Sequence, residues 1–419
     1  MTTARAPRPL LPLEEALSRL MAGSAPHGIT ETETLTTFDG LGRVLAREVR
    51  SGIDVPPADN ASMDGYAIRV ADVSHAGAVL PVSQRIPAGV PGHALAPGTA
   101  ARIFTGGLVP DSADAVVMQE QCEAVPGDGL GAVSVNVVPA AGQWIRRRGE
   151  DVRRGAVVLE VGARLTPQAL GLAASVGVGD LQVVRRPRVA VFSTGDELAM
   201  PGEPLKPGAI YNSNRYTLRG LLLAAGCSVT DLGIVPDQLE ATRAALRQAA
   251  AGHDLIVTCG GVSVGDEDHL KPAAQAEGEL EHWQLAIKPG KPLAFGRIRR
   301  GDGGAALLIG LPGNPVSAFV THLLCVNPVL RALQGMTDAA LPAALPGVAA
   351  FDWPRPDKRR EFLRVRLSAD GTLALFPNQS SGVLTSVVWA DGLVDNPPEQ
   401  AIRRGDMLRW IPMASLLAA

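Results

Sequence analysis

The segment Leu255-Ile256-Val257-Thr258-Cys259-Gly260-Gly261-Val262-Ser263-Val264-Gly265-Asp266-Glu267-Asp268 decides the fold class. It opens as a short apolar run and closes in a glycine-rich, acidic turn. Such a run, bounded by glycines, reads as a strand buried on both faces. The pattern recurs on either side. Residues 188–192 run into Ser193-Thr194-Gly195-Asp196-Glu197-Leu198, and residues 229–235 into Pro236-Asp237. Residues 293–295 and 305–309 are two more apolar strands, the second running into Gly310-Leu311-Pro312-Gly313-Asn314-Pro315-Val316-Ser317. Helical spacing fills 213–225, 239–250 and about 315–333. Alternation of this kind predicts a doubly wound parallel sheet, covered by helices on both faces, across 187–336.

The flanks differ in texture. Residues 13–21 follow Pro12 with a helical apolar spacing, and 35–49 read as a second short helix. Between 51 and 151 glycine and proline are dense. Short apolar runs such as Ala115-Val116-Val117-Met118 and Ala132-Val133-Ser134-Val135 alternate there with turns, which predicts a small β domain. A helical pattern returns around 166–176. The β domain therefore reads as an insertion into a discontinuous helical, linking domain formed by 1–50 and 152–186. A proline-rich linker near 341–346 opens the tail, 337–419, whose short strands predict a small β-barrel.

Composition bounds the function. With 419 residues the chain holds more than one core, and about three domains are expected. The balance of 39 basic and 42 acidic side chains, net −3, excludes a strongly basic nucleic-acid surface. An apolar content of 46% excludes disorder. Arginine outnumbers lysine 34 to 5, so arginine runs carry little information and each lysine carries more. The cysteines, Cys122, Cys227, Cys259 and Cys325, are far apart, which suggests neither a disulfide framework nor zinc. The prolines and acids of the first residues make a poor signal peptide, and no apolar run approaches the ~20 residues of a membrane helix. A soluble cytoplasmic protein is expected.

In an open α/β sheet, ligands bind beyond the carboxyl ends of the strands. Gly260, Gly261 and Gly265 would let backbone N–H groups approach an anion there, with Ser263 as a further donor. The same residues could also form a plain strand-to-helix turn. Glu197, Asp237 and Asp268 are each ordinary helix-start acids. Converging at one sheet edge, they suit a hard cation such as Mg²⁺. Lys288 and Lys291, in Lys288-Pro289-Gly290-Lys291-Pro292, would add positive charge for an oxyanion; the alternative is a solvated turn. In the β domain, Asp59-Asn60-Ala61-Ser62-Met63-Asp64-Gly65-Tyr66, Phe104-Thr105-Gly106-Gly107 and Arg146-Arg147-Arg148-Gly149-Glu150-Asp151 stand out.

At these residues the chain resembles the molybdopterin molybdenumtransferases, the MoeA family, which includes the gephyrin and plant Cnx1 E domains. The resemblance covers essentially the whole chain. Its most specific stretches are 59–66, 145–151, 193–198, 260–265, 288–292 and 311–317. It implies an elongated homodimer of four-domain subunits that uses molybdate, adenylylated molybdopterin and Mg²⁺, and releases AMP. It also permits contact with the adenylyltransferase of the preceding step. Functional carboxylates and hydroxyls are implied at Asp64, Thr105, Asp151, Glu197, Asp237 and Asp268. The loop at 260–265 would hold the pterin phosphate region. Lys288, Lys291 and Ser317 match the oxyanion pocket, beside Pro312 and Pro315, with Ser381 nearby and Arg360 as a further contact. One departure is Gln284, where many relatives carry a lysine; it can hydrogen-bond but carries no charge.

Two other functions are open to such a chain. A molybdopterin adenylyltransferase would need neither the β insertion nor the C-terminal domain. A scaffold of the gephyrin E type would need neither the acids nor the lysines.

Overall fold

The computed structural model describes residues 10–261, 269–336 and 341–417. Its central sheet has six strands in the order Ser228–Val235, Arg188–Thr194, Leu255–Cys259, Ala305–Leu311, Pro292–Arg299 and Gly278–Gln284. The first four run parallel. Pro292–Arg299 runs antiparallel to both its neighbours, so the sheet is mixed and not the parallel sheet expected. The reason lies in the connections. The segment 278–311 crosses no face with a helix, and strands joined without a crossover helix must pair antiparallel.

Alternate side chains of each strand enter opposite layers, as the period of two requires. Val189, Val191, Leu255 and Val257 pack beneath helices Ser213–Ala224 and 315–333. Ala190, Phe192 and Ile256 pack beneath Leu239–Gly252 and Leu270–Glu277. Helix Leu13–Ser24 also belongs here, since Leu13, Ala16 and Leu20 sit in the first of these layers. Helix 315–333 is apolar enough over 19 residues to cross a membrane, yet 89% of that stretch is buried inside the protein. It is the core helix of the α/β unit. A π-helical turn, His322–Val326, interrupts its middle.

Residues 35–49 do not form the expected helix. Thr36 caps a single 3-10 turn, Thr37–Asp39, by accepting from the Asp39 N–H at 3.3 Å. Gly42, at φ +74°, then turns the chain, and Leu45 bridges in extended form to Val183. Apolar residues at helical spacing here serve two short strand pairings instead. Thr32–Thr36 pairs with Asp180–Val184, and Val49–Arg50 with Val157–Leu159. Only Pro167–Ser175, capped by the Thr166 hydroxyl, is an α-helix in this region, so it is mainly β.

The β domain is built on a six-stranded sheet in the order Ala115–Met118, Gly65–Ile68, Ala100–Ile103, Ala78–Ile86, Ala132–Val135 and Cys122–Val125. The C-terminal strands Arg360–Leu367, Thr372–Leu375, Leu345–Ala349, Met407–Pro412 and Gly392–Asn396 close a five-stranded barrel, because the last pairs back onto the first. The short strand Ile287–Lys288 of the α/β unit pairs onto the barrel strand Arg360–Leu367, joining the two.

His322 makes the core helix acid-sensitive. It is fully buried, and burial pushes its imidazole down to about 3, with Asn327 opposing only in part. A group whose folded pKa lies below its unfolded value near 6.5 binds its proton first in the unfolded chain. Stability is therefore lost as pH falls from about 6.5 towards 3, by about 1.4 kcal/mol per unit at most. His322→Leu should flatten this acid limb in denaturant titrations between about pH 6 and pH 4, the window in which the unfolded chain takes up the proton. An unchanged slope would exclude His322 as its source.

Candidate active site

The strand order reverses at Arg188–Thr194, which has Ser228–Val235 on one side and Leu255–Cys259 on the other. This is the switch point where an α/β sheet opens a crevice. A cleft of about 1010 Å³ lies there, and it receives residues from every loop at that edge. Ser193, Thr194 and Glu197 come from the first loop, Asp237 from the second, Gly260 and Gly261 from the third. Lys288, Lys291, Pro312, Pro315 and Ser317 line the far wall, and Gln379, Ser380 and Ser381 of the barrel complete it.

Of the site residues expected from sequence, the structure brings together Glu197, Asp237, Gly260, Gly261, Lys288, Lys291, Pro312, Pro315, Ser317 and Ser381. Ser263, Gly265 and Asp268 lie outside the described residues. Asp64, Thr105 and Asp151 do not line this cleft, and neither does Gln284. Arg360 is also elsewhere. Its guanidinium is held by Asp395, with Nε–Oδ1 at 2.5 Å, and by Glu14. Its neighbour Arg359 is the arginine that faces the cleft.

Local backbone geometry explains two of the glycines. Gly260 has φ +92°, and a Cβ there would lie 2.5 Å from the Thr194 carbonyl oxygen. Only glycine lets the two parallel strands end so close together. Gly290 has φ +109°, and a Cβ would lie 2.3 Å from Thr321 Oγ1. That contact presses the Lys288–Lys291 turn onto the core helix and sends both lysines into the cleft.

The cleft walls hold polar atoms that the protein leaves without partners. Ser193 Oγ, Thr194 Oγ1, Asn212 Nδ2 and Asn214 Oδ1 are all buried and have no hydrogen-bond partner among the described residues. Buried polar groups are normally satisfied, so such atoms in a cleft mark a surface shaped for a polar ligand. Cys259 is not reactive there: burial pushes its thiol up to about 12, although Asn214 Nδ2 approaches its Sγ at 3.0 Å. Asn212 and Asn214 were absent from the sequence-derived set. Their signal was the Asn212-Ser213-Asn214 start of helix Ser213–Ala224.

Charge in the cleft is already partly matched. Lys288 Nζ lies 3.2 Å from Glu361 Oε1 and 3.3 Å from Asp357 Oδ2. Glu361 is fully buried, and Trp353 Nε1 donates to its second oxygen at 2.8 Å. Arg359 donates to both oxygens of Asp357, at 2.9 and 3.0 Å. These bonds hold the Asp357 carboxyl well below the usual carboxylate range against a smaller effect of burial. Lys291 has no ion-pair partner among the described residues.

In the β domain, Asp64 and Thr105 form a unit of their own. The Thr105 backbone N–H and hydroxyl both donate to Asp64 Oδ1 at 2.7 Å. They hold this exposed carboxyl ionised below its ordinary range. Asp151 is exposed, its N–H donating to the Val55 carbonyl at 3.0 Å. The Arg147 and Arg148 side chains are spent on Asp59 and Asp54, at 2.6 Å each. The arginine run therefore shapes a turn.

Arg364 was missed by the sequence reading. It is a charged residue in an apolar alternation, Phe362-Leu363-Arg364-Val365, and that was its signal. Its side chain is 1% exposed, and burial lowers its pKa to about 10. The guanidinium donates to the Phe362 carbonyl at 3.1 Å, the Ser380 carbonyl at 3.3 Å and Ser386 Oγ at 3.2 Å. It thereby anchors the loop whose Ser381 carbonyl accepts from the Val316 N–H at 2.9 Å, at the start of the core helix. Arg364→Ala should release that loop. Hydrogen exchange at Val316 should rise by roughly tenfold or more, as expected when a tertiary cap opens. Retained protection at Val316 in a folded variant would refute the anchoring.

Comparison with known proteins fits each part of this architecture. Residues 11–177 match the family described as MoeA N-terminal region (domain I and II), and 190–332 the probable molybdopterin binding domain. Residues 346–413 match the MoeA C-terminal region (domain IV). The chain is 40% identical to a molybdopterin molybdenumtransferase of Haemophilus influenzae, over 85% of each chain. It is 38% identical to molybdopterin molybdenumtransferase 2 of Mycobacterium tuberculosis, over 88% of this chain and 91% of that one. The crystal structure of the molybdopterin biosynthesis MoeA protein from Pyrococcus horikoshii superposes with a TM-score of 0.81 at 28% identity, covering 96% of this chain and 99% of that one. With its three regions matched in order and its cleft at the switch point of the middle one, the chain belongs to the molybdopterin molybdenumtransferases of the MoeA family.

Proposed function

We propose that this transferase inserts molybdenum into molybdopterin, taking molybdate and adenylylated molybdopterin as substrates and releasing AMP. The observation that carries this reading is the make-up of one cleft. A glycine turn and unpaired hydroxyls lie on one wall, a two-lysine turn on the other, and two carboxylates beside them. A phosphoanhydride and an oxyanion repel one another in water. The cleft offers separate partners for each. The Gly260 and Gly261 backbone, with Ser193 and Thr194, suits the phosphate end of the pterin. Lys288 and Lys291, with Ser317 at the helix start, suit molybdate.

Glu197 and Asp237 suit a divalent cation. Among the described residues no group of three or more His, Cys, Asp or Glu could hold a metal ion alone. Mg²⁺ usually takes only one or two carboxylates and completes its shell with substrate phosphates and water. The two carboxylates of the cleft fit that habit, and Asp268 would be the next ligand considered. When bound, the ion would offset phosphate charge. The protein's own task is then orientation: Lys291 and Ser317 hold the oxyanion while the hydroxyl wall holds the phosphoanhydride in line for attack by a water or molybdate oxygen, with AMP leaving. The four cysteines are free, which suits the reducing cytoplasm we assign to the enzyme.

Incubation with adenylylated molybdopterin, with AMP followed by chromatography, tests this. AMP should appear only when molybdate and a divalent cation are both supplied. Equal release after chelation of all divalent metal would remove the cation from the scheme. Release independent of molybdate would remove the insertion step.

We further propose that the active enzyme is a homodimer whose second subunit brings Asp64 and Thr105 to the cleft. The support is that the Asp64 carboxylate and the Thr105 that holds it lie off the cleft of their own chain. Mixing inactive Asp64→Ala and Glu197→Ala proteins should then restore activity. After random exchange roughly a quarter of the sites would be intact, since half the dimers are mixed and each has one good site. Verified exchange with no recovery would reject the shared site.

A further inference from the structure

The cation cluster of the cleft contains an anion of the protein's own. Asp357 lies on the loop between Trp353 and Arg359, where Pro354 and Pro356 restrict the backbone. Its carboxylate takes both donors of Arg359 and sits 3.3 Å from Lys288 Nζ. Glu361 also binds Lys288, but the two acids are not equivalent. Glu361 is fully buried and tied to Trp353 and Asn396. Leaving it without its lysine would strand a charge in the interior. Asp357 keeps 22% of its side chain exposed, so on leaving the lysine it can stay solvated and strands no charge in the interior. It lines a smaller cavity of about 440 Å³ that shares Lys291 and Arg359 with the main cleft.

We propose that Asp357 is an internal counter-anion: it occupies the Lys288–Arg359 cation pair and sets the affinity of the cleft for an oxyanion, which binds by displacing it. The inference rests on the reading of the lysine turn as the oxyanion pocket. Lys288 and Arg359 face Asp357 and Glu361 and are neutralised by them, so Lys291, with no ion-pair partner among the described residues, leaves one positive charge in this group. A dianion such as molybdate meets a site matched to less than its own charge. Moving Asp357 aside exposes a second positive charge and completes the match. The exchange keeps two lysines and an arginine from repelling one another before the substrate arrives. It also keeps the bound oxyanion loose enough to be passed on to the pterin.

Calorimetric titration of molybdate alone into the full-length protein tests this. Asp357→Asn and Asp357→Ala each remove the charge, and Asp357→Glu keeps it. Both neutral variants should bind molybdate about tenfold more tightly at low ionic strength, the size expected for removing one like charge a few ångströms away. The gain should shrink as salt screens it, and Asp357→Glu should bind as the wild type does. Unchanged or weaker binding by both neutral variants, with melting temperatures intact, would overturn the proposal. Lys291→Ala separates it from the reading beneath. If that variant binds molybdate weakly while the Asp357 variants match wild type, the oxyanion pocket stands and the counter-anion falls. If neither lysine nor aspartate substitutions alter binding, both fall.

Discussion

The ion pair between the half-exposed Lys288 and the buried Glu361 carboxylate is the constraint on which the cleft depends. Glu361 sits on a strand of the C-terminal barrel with no exposed surface, and Lys288 reaches it from the α/β unit at 3.2 Å. A buried carboxylate tolerates no vacancy opposite it. The pair therefore fixes where the barrel meets the sheet. Backbone bonds repeat the message, because Ile287–Lys288 pairs directly onto Arg360 and Glu361. Once the joint is fixed, the Gly290 turn can point only one way. Lys291 is left facing the cleft with no acid of its own among the described residues.

From that joint the barrel also acts on the start of the core helix. Arg364 spends a buried charge on carbonyls and a hydroxyl instead of an acid, which is a costly choice unless those groups must stay put. What they hold is the 379–381 loop, and through the Ser381 carbonyl the first turn of the core helix. Pro315 and Ser317 stand on that turn. One wall of the cleft is thus built on the barrel, the opposite wall on the sheet, and neither domain could shape the site alone. This explains why the C-terminal domain belongs to the catalytic unit and is no appendage to it.

Most of the fold could be read from periodicity. Five apolar runs and their intervening helices follow from burial on two faces, and their glycine-rich ends mark the cleft; the sixth strand, Gly278–Gln284, is not an apolar run. The failures share a cause. Strands Pro292–Arg299 and Gly278–Gln284 run antiparallel because no helix crosses between them, a matter of connection that apolar runs do not encode. Residues 35–49 have helical spacing, but Gly40 and Gly42 break the chain, and tertiary pairing took the apolar side chains. In the site, Lys288 and Lys291 were legible because lysine is scarce in this chain. Arg359 and Arg364 were hidden among 34 arginines, and no composition argument could separate them from Arg360. Asp357 was invisible because its significance lies wholly in what stands opposite it.

The separation of acids from lysines has a physical logic. A carboxylate placed within reach of an unpaired ammonium in a partly dry cleft is captured by it, and Asp357 shows the outcome: ion-paired, held ionised and facing no substrate. An acid meant to act on the substrate has to be kept off the lysines until the substrate screens them. Asp64 meets that requirement. Thr105 satisfies it locally with two hydrogen bonds, so it stays ionised and oriented without any cation of the cleft. Carrying it on the β domain, away from its own Lys288 and Lys291, prevents the collapse that a shared domain would invite. In the dimer proposed above, the partner's carboxylate would arrive beside the substrate and not beside the lysines. Two anions, one of them a dianion, can then be bound in one cleft without the catalytic acids neutralising the charges that bind them.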